Sequence, residues 1–160
     1  KMQHDVFILD GDVEYNIRLN DNDITDEQVK EAAEYVNASH FIEKLPQGYH
    51  EPVTERGATF SAGERQLLSF ARTLAHNPSI LVMDEATANI DTETEILIQE
   101  ALEKLMDGRT TIMVAHRLST IQHADCIMVM HKGRICERGT HTELLQQDGI
   151  YSKLYELQIS

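Results

Sequence analysis

The chain has 160 residues, of which 41% are hydrophobic, and a formal net charge of -13 at pH 7. This hydrophobic content supports a folded core and argues against a disordered chain. The acidic balance argues against a nucleic-acid partner and against direct binding to an anionic membrane surface, because both need clustered Lys and Arg.

The first half of the chain predicts helices joined by polar loops. The predicted elements are a strand end and loop over residues 1–9, a helix over 26–37, a short helix over 39–45 and a polar connection over 46–57. Thr25 and Gln28 have the spacing of a capping box, which places the start of the second element. The acidic loop before it lacks the Gly and the terminal Glu of a calcium loop, so we interpret it as a solvated helix cap.

The second half predicts helices and strands in alternation. The predicted elements are a helix over residues 61–75, a strand over 80–83, a helix over 92–106, a strand over 110–115, a short helix over 117–123 and a hairpin of 125–130 with 134–137. The first strand is continuously apolar, as a buried parallel strand is, and the second is also predicted to be buried. Thr140 and Glu143 form another capping box, which opens a C-terminal helical region. This alternation predicts an α/β layered fold.

Two acids, Asp84 and Glu85, directly follow the apolar run that begins at Ile80. Ligands of α/β sheets bind at the carboxyl ends of strands. A carboxylate at this place can hold Mg²⁺, and a second one can polarise an attacking water. The alternative is that both acids only begin a surface turn.

A polar helix start lies at residues 60–66, where Ser61 and Glu64 have capping-box spacing. Capping alone explains both residues. The same helix N-terminus also exposes free N–H groups and the positive end of the helix dipole. With the Ser hydroxyl and Gly63, it makes an anion site for a terminal phosphate. The two interpretations are compatible, and the local pattern does not separate them.

His116 follows the second apolar strand. A lone histidine near a strand end is more often structural than catalytic. This one is expected at the carboxyl edge of the sheet, where it can donate a hydrogen bond to a phosphate oxygen. The histidines lack the spacing of zinc ligands, so we predict no zinc site.

The order of these segments resembles the ATPase domains of ABC transporters, in which a signature, a Walker B motif, a D-loop and a switch histidine follow one another. The corresponding positions here are residues 60–66, 80–85, 88–91 and His116. Gln3 and the residues up to Ile17 resemble the Q-loop region, and residues 54–57 resemble the loop that exporters place before the signature. The segment from Ala115 to His141 resembles the exporter subgroup specifically.

The resemblance implies a P-loop NTPase-like α/β fold, running from the Q-loop to the C-terminus of one ABC ATPase domain. It implies a helical subdomain over about residues 12–75, and a sheet core with C-terminal helices made of 76–160 together with 1–9. The implied cofactors are ATP and Mg²⁺. The implied partners are a second ABC ATPase domain and the transmembrane domain of an exporter, at the cytoplasmic face of the cell membrane.

The resemblance also implies residue roles. Asp84 and Gln3 would belong to the Mg²⁺ coordination shell. Gln3 would also sense the metal and water and relay their presence to the transmembrane domain. Glu85 would be the general base for hydrolysis, and His116 would contact the terminal phosphate. The residues implied to meet a nucleotide across the dimer interface are Ser61, Ala62, Gly63, Glu64 and Asp91.

Three features depart from the family pattern. No G-x-x-x-x-G-K-[ST] sequence is present, since none of the eight glycines precedes a Lys. We therefore expect the phosphate-binding segment to have been cut off or not represented, and the chain to be a fragment. The signature has Phe60, Ala62 and Glu64 where Leu-Ser-Gly-Gly-Gln is usual, and the D-loop reads Ala-Asn-Ile-Asp rather than Ser-Ala-Leu-Asp.

The altered signature predicts one half of an asymmetric heterodimer, in which this chain hydrolyses ATP at its own site. A homodimer in which the changes are harmless is the alternative. A catalytically inert interaction fragment is a second hypothesis, favoured by the missing loop. A third, a soluble ABC ATPase of DNA repair or chromosome structure, is disfavoured by the acidic charge and by the exporter-type segment.

Overall fold

The computed structural model describes residues 7–55, 57–84, 90–115 and 118–159. The chain forms two compact units, Lys1–Met113 and Val114–Ser160. The helices are α1 (Val13–Arg18), α2 (Asp26–Tyr35), α3 (Ser39–Ile42), α4 (Ala62–Ala75), α5 (Thr92–Met106), α6 (Leu118–Ile121), α7 (His141–Gln146) and α8 (Ile150–Ile159). The strands are β1 (Gly11–Asp12), β2 (Pro52–Val53), β3 (Ile80–Asp84), β4 (Thr110–Val114), β5 (Ile127–His131) and β6 (Arg134–Gly139). This mixture confirms the predicted α/β class.

Helix α2 begins where its capping box predicts. The Gln28 N–H donates to Thr25 Oγ1 over 3.2 Å, and the Thr25 N–H donates to Gln28 Oε1 over 2.8 Å. The helix ends at Tyr35, two residues before the predicted limit. Asn37 has a φ of 62°, and this left-handed conformation cannot continue a right-handed helix.

Helix α4 is the central helix of the first unit and packs against α1, α2 and α5. Its buried residues are Gly63, Leu67, Leu68, Phe70 and Ala71, which recur at helical spacing. Helix α5 has the bounds that the sequence predicts, and its buried face is the predicted one, with Ile98, Ala101, Leu102 and Leu105. The contact between α4 and α5 brings together segments that are distant in the chain.

Strands β3 and β4 pair with each other. The Thr110 N–H donates to the Ser79 carbonyl over 3.2 Å, which places the beginnings of the two strands side by side, as in a β-α-β unit. The predicted burial of both strands is wrong. Leu81 is only 4% exposed, whereas the exposed fraction is 61% for Ile80 and 75% for Val82. Side chains alternate across a strand, so one covered face leaves every second apolar side chain exposed.

The second unit is built on the predicted hairpin. Strands β5 and β6 pair antiparallel, with Lys132 and Gly133 as the turn. Their φ angles of 49° and 74° are those of a type I′ turn, which matches the twist of the flanking strands. The predicted capping box of Thr140 and Glu143 is present and begins α7.

Helix α8 is attached to the hairpin by a carboxylate. Glu137 on β6 accepts hydrogen bonds from the first N–H groups of α8, those of Ile150 and Tyr151. His141 Nδ1 also lies 2.7 Å from the buried Tyr151 hydroxyl. Throughout the described part of the chain, the helices are too short or too polar to cross a membrane.

Candidate functional site

Asp84 is the last residue of β3 and is exposed, so it lies at the predicted carboxyl end of the strand. Leu81, three residues earlier, is buried and anchors the strand in the core. Mg²⁺ is commonly bound through one or two carboxylates together with waters and substrate phosphates. One carboxylate at a strand end fits that chemistry. The described residues contain no group of three or more His, Cys, Asp or Glu side chains placed to hold a metal.

The predicted helix start at Ser61 is present and lies at the surface. Ser61 is exposed and has an extended backbone, which makes it the N-cap of α4. Its Oγ accepts a hydrogen bond from the Glu64 N–H over 3.2 Å. A hydroxyl that accepts at its oxygen still has its own proton to donate. Ser61 can therefore cap the helix and donate to an external anion at the same time.

The Glu64 carboxylate turns back toward the cap. Its Oε2 accepts a hydrogen bond from the Ser61 N–H over 2.8 Å, which completes the reciprocal box. Ala62, the first residue of α4, is half-buried. Glu64 therefore places a negative charge at the helix N-terminus and occupies an N–H group that an anion would otherwise use.

Gly63 is buried, although it stands between half-buried neighbours at the helix start. A Cβ built on Gly63 would overlap Cγ2 of Thr94 and would lie 3.5 Å from Cγ2 of Ile90. Gly63 thus faces the beginning of α5. This intramolecular contact gives the glycine a packing role that the sequence did not reveal.

Asp91 is exposed and is the N-cap of α5, where its Oδ1 accepts the Thr94 N–H over 2.9 Å. Hydrogen bonds from the backbone and side chain of Thr94 hold the pKa of Asp91 below its usual value, because they favour the ionised carboxylate. Asp91 is therefore a fixed negative group next to the packed first turn of α4.

Three of the predicted site residues, Gln3, Glu85 and His116, lie outside the described residues, as do Ala88 and Asn89 of the D-loop. The convergence of Asp84, Glu85 and His116 at one sheet edge therefore stays a prediction. The contact of α4 with α5 does bring two of the predicted segments together within the described residues. These are the signature turn, residues 61–64, and the end of the D-loop at Asp91.

A polar depression of about 630 Å³ lies at the other end of β3 and β4, lined by residues 77–79 and 107–110. Arg109 Nη2 donates to Asn77 Oδ1 over 2.8 Å within it. These residues precede or begin the strands, so this depression is remote from the strand end that carries Asp84. We do not assign the candidate chemistry to it.

A second connection, which the sequence did not predict, links α4 to the segment after Gln3. Asn16 on α1 is fully buried; its Oδ1 accepts the Leu9 N–H and its Nδ2 donates to the carbonyls of Leu9 and Asp12. Arg72 on α4 donates to the Asn16 carbonyl over 2.7 Å, to Asn16 Oδ1 over 3.1 Å and to the Phe7 carbonyl over 2.8 Å.

Burial lowers the pKa of the Arg72 guanidinium, because the charged form loses hydration. The sequence signal was weak, since an arginine on a helix is ordinarily an exposed residue. The hydrogen bonds attach the helix that starts at Ser61 to the segment that follows Gln3.

Comparison with known proteins identifies the family. The family model described as ABC transporter matches residues 3–88, which is more than half of the chain. The chain is 58% identical over 152 residues to the putative ABC transporter ATP-binding protein exp8 of Streptococcus pneumoniae, covering 95% of this chain and 26% of that protein. It is 53% identical over 154 residues to the probable multidrug resistance ABC transporter ATP-binding/permease protein YheH of Bacillus subtilis, covering 96% of this chain and 23% of that protein.

The fold is also similar to a solved one. A structure described as that of a bacterial Atm1-family ABC exporter with ATP bound superposes with a TM-score of 0.85 at 42% identity, covering 99% of this chain and 27% of that chain. The chain thus spans between 23% and 27% of the length of these three proteins. The predicted ABC ATPase fold is confirmed, and the chain belongs to the ABC transporter family.

Proposed function

We propose that this chain is the ATP-binding and ATP-hydrolysing domain that powers export of a substrate across a membrane. The observation that carries the proposal is the surface-exposed Ser61 cap of α4, in a family member whose strand β3 ends at the exposed Asp84. An ATP-bound exporter is among the similar structures, and a relative is named as an ATP-binding/permease protein, which supports the proposal.

We assign the Mg²⁺ and hydrolysis chemistry to the strand ends. Asp84 would hold Mg²⁺ together with Gln3, and bound Mg²⁺ supplies neutralisation of phosphate charge. Glu85, which follows Asp84 in the chain, would accept the proton of the attacking water. His116 would donate a hydrogen bond to the terminal phosphate.

We assign the other half of the nucleotide contact to the first turn of α4. The Ser61 hydroxyl and the N–H groups of Ala62 and Gly63 would donate to the phosphate of a nucleotide held by a second ABC ATPase domain. Asp91 would act across the same interface. Residues 12–75 would form the helical subdomain, and residues 76–160 with 1–9 the sheet core. A transmembrane domain would be the further partner, at the cytoplasmic face of the cell membrane.

The altered signature supports an asymmetric heterodimer. Glu64 places a carboxylate at the turn that would meet the partner's nucleotide, where it opposes a negative phosphate. Ala62 adds a Cβ to the same turn, where the family usually has a glycine. Hydrolysis would then be fast at the site that contains Glu85. It would be slow at the partner's site, to which this chain contributes its signature.

The test is Glu85→Gln in the full-length protein. The substitution keeps the size of the side chain but removes the base, so ATP binding should remain and hydrolysis should slow by roughly 10²–10⁴. Glu103→Gln, on the exposed side of α5, is the matched control and should leave the rate unchanged. Hydrolysis at the wild-type rate by the Glu85 variant would show that another group is the base.

The alternative is a catalytically inert interaction module, in which no part of the protein supplies a G-x-x-x-x-G-K-[ST] sequence. The Lys and backbone cradle of the β- and γ-phosphates would then have no counterpart. ATPase assays of the 160-residue chain and of the full-length protein, side by side, distinguish the two. The full-length protein must hydrolyse ATP if the leading proposal is right.

A further inference from the structure

Lack of space, rather than backbone conformation, requires a glycine at position 63. Gly63 lies inside helix α4 and lacks the positive φ at which a side chain is strained. A Cβ built there would overlap Cγ2 of Thr94 and lie 3.3 Å from Cβ of Thr94. Glycine is otherwise unfavourable in a helix, because it loses much backbone freedom. The first turn of α4 therefore contacts α5 so closely that a Cβ at position 63 would force Thr94 to move.

Thr94 also contacts the end of the D-loop. Its N–H donates to Asp91 Oδ1 over 2.9 Å. One residue thus meets Gly63 through its methyl group and Asp91 through its N–H group. Ile90, whose Cγ2 lies 3.5 Å from the built Cβ, extends the contact on the same side.

We infer that Thr94 is a positioning residue that sets the signature turn, residues 61–64, against Asp91 within one chain. The inference rests on the proposed function, which gives Ser61 and Asp91 their roles toward a nucleotide. Because close-packed contacts transmit displacement, a shift of the Asp91 turn would carry the Ser61 turn with it. Gly63 would then serve the packing of α4 on α5, besides any approach of a phosphate.

The explanation from a ligand alone gives a different expectation. If Gly63 is needed only because a phosphate approaches its backbone, the neighbour at Thr94 has no influence on a Cβ added at position 63. If the contact with Thr94 requires the glycine, removing Cγ2 should make room for that Cβ. Thr94→Ser removes this methyl group and keeps the N–H that bonds Asp91.

The experiment is a double-mutant cycle in the full-length protein, with Gly63→Ala made in the wild-type and Thr94→Ser backgrounds. Turnover is measured well below the melting temperature of each variant, so that all are folded. Gly63→Ala should lower kcat roughly tenfold or more, and lower Tm by about 2–8 °C, in the wild-type background. In the Thr94→Ser background, the loss in log kcat and the loss in Tm should each be less than half of the corresponding loss in the wild-type background.

Thr73→Ser is the matched control, since Thr73 lies at the far end of the same helix and loses the same methyl group. In that background, the losses caused by Gly63→Ala should be undiminished. Equal losses in the wild-type and Thr94→Ser backgrounds, or no loss in either, would overturn the inference. If the full-length protein hydrolyses no ATP at all, the proposed function fails, and the Tm cycle still decides whether the contact exists.

Discussion

Replacing Arg72 by Met should weaken the first unit substantially. The change keeps an unbranched side chain but removes the three donors that hold Asn16 and Phe7. The bond to the Phe7 carbonyl is exposed and contributes little, which leaves two partly buried bonds to Asn16. Hydrogen bonds to charged groups contribute about 1.5–3 kcal/mol each, and adjacent bonds are not additive, so we expect a loss of about 2–4 kcal/mol in the free energy of unfolding.

Urea unfolding of the 160-residue chain, followed by far-UV circular dichroism, measures this loss. The midpoint should fall while the slope with urea stays the same, because the surface exposed on unfolding barely changes. Lys30→Met, on the exposed side of α2, is the matched control and should change stability by no more than about 0.5 kcal/mol.

Hydrogen exchange provides a local readout of the same change. The Leu9 N–H, which donates to Asn16 Oδ1 over 2.8 Å, should exchange faster in Arg72→Met. Arg72→Lys should recover part of the stability, since an ammonium can replace one of the two bonds to Asn16. A loss below about 0.5 kcal/mol, with unchanged protection of Leu9, would refute the view that Arg72 attaches α4 to this segment.

Three further predictions concern ligand, pH and assembly. The 160-residue chain alone should show no ATP binding by calorimetry, since the free start of α4 is only a weak anion site; micromolar affinity would contradict this. The hydrogen bond from Arg18 lowers the pKa of Asp26. The ionised Asp26 therefore stabilises the fold above the unfolded pKa of about 4, and this contribution is lost as pH falls through the folded pKa. Asp26→Asn should remove that part of the acid dependence of the urea midpoint, and an unchanged dependence would argue against it. The full-length protein purified without a partner should transport poorly, whereas a robustly transporting homodimer with two equal hydrolysing sites would exclude the asymmetric assembly.

The sequence by itself determined where most elements begin, because the signals involved are local. The three capping boxes, which begin α2, α4 and α7, each join residues three positions apart, and all are present in the structure. The turn at Lys132 and Gly133 is equally local, since backbone conformation at two residues selects it. The buried face of α5 followed from helical periodicity alone.

Candidate site residues could be chosen from motifs, but their surroundings could not. The position of Asp84 at a strand end and the exposed cap at Ser61 were both predictable, because each depends on an element boundary. The orientation of Glu64 was open, since capping and ligand contact use the same atoms. The folded first turn decides it, with the carboxylate on the Ser61 N–H.

Only the tertiary structure decided which distant residues meet. Arg72 and Asn16 are 56 positions apart, and their contact depends on how α4 packs on α1. The overlap of a Cβ at Gly63 with Thr94 likewise depends on how closely α4 and α5 approach. An apolar run such as β3 indicates that its side chains can be buried. It does not indicate which face of the strand is covered. Periodicity is a property of one element, whereas coverage depends on the neighbours that pack against it.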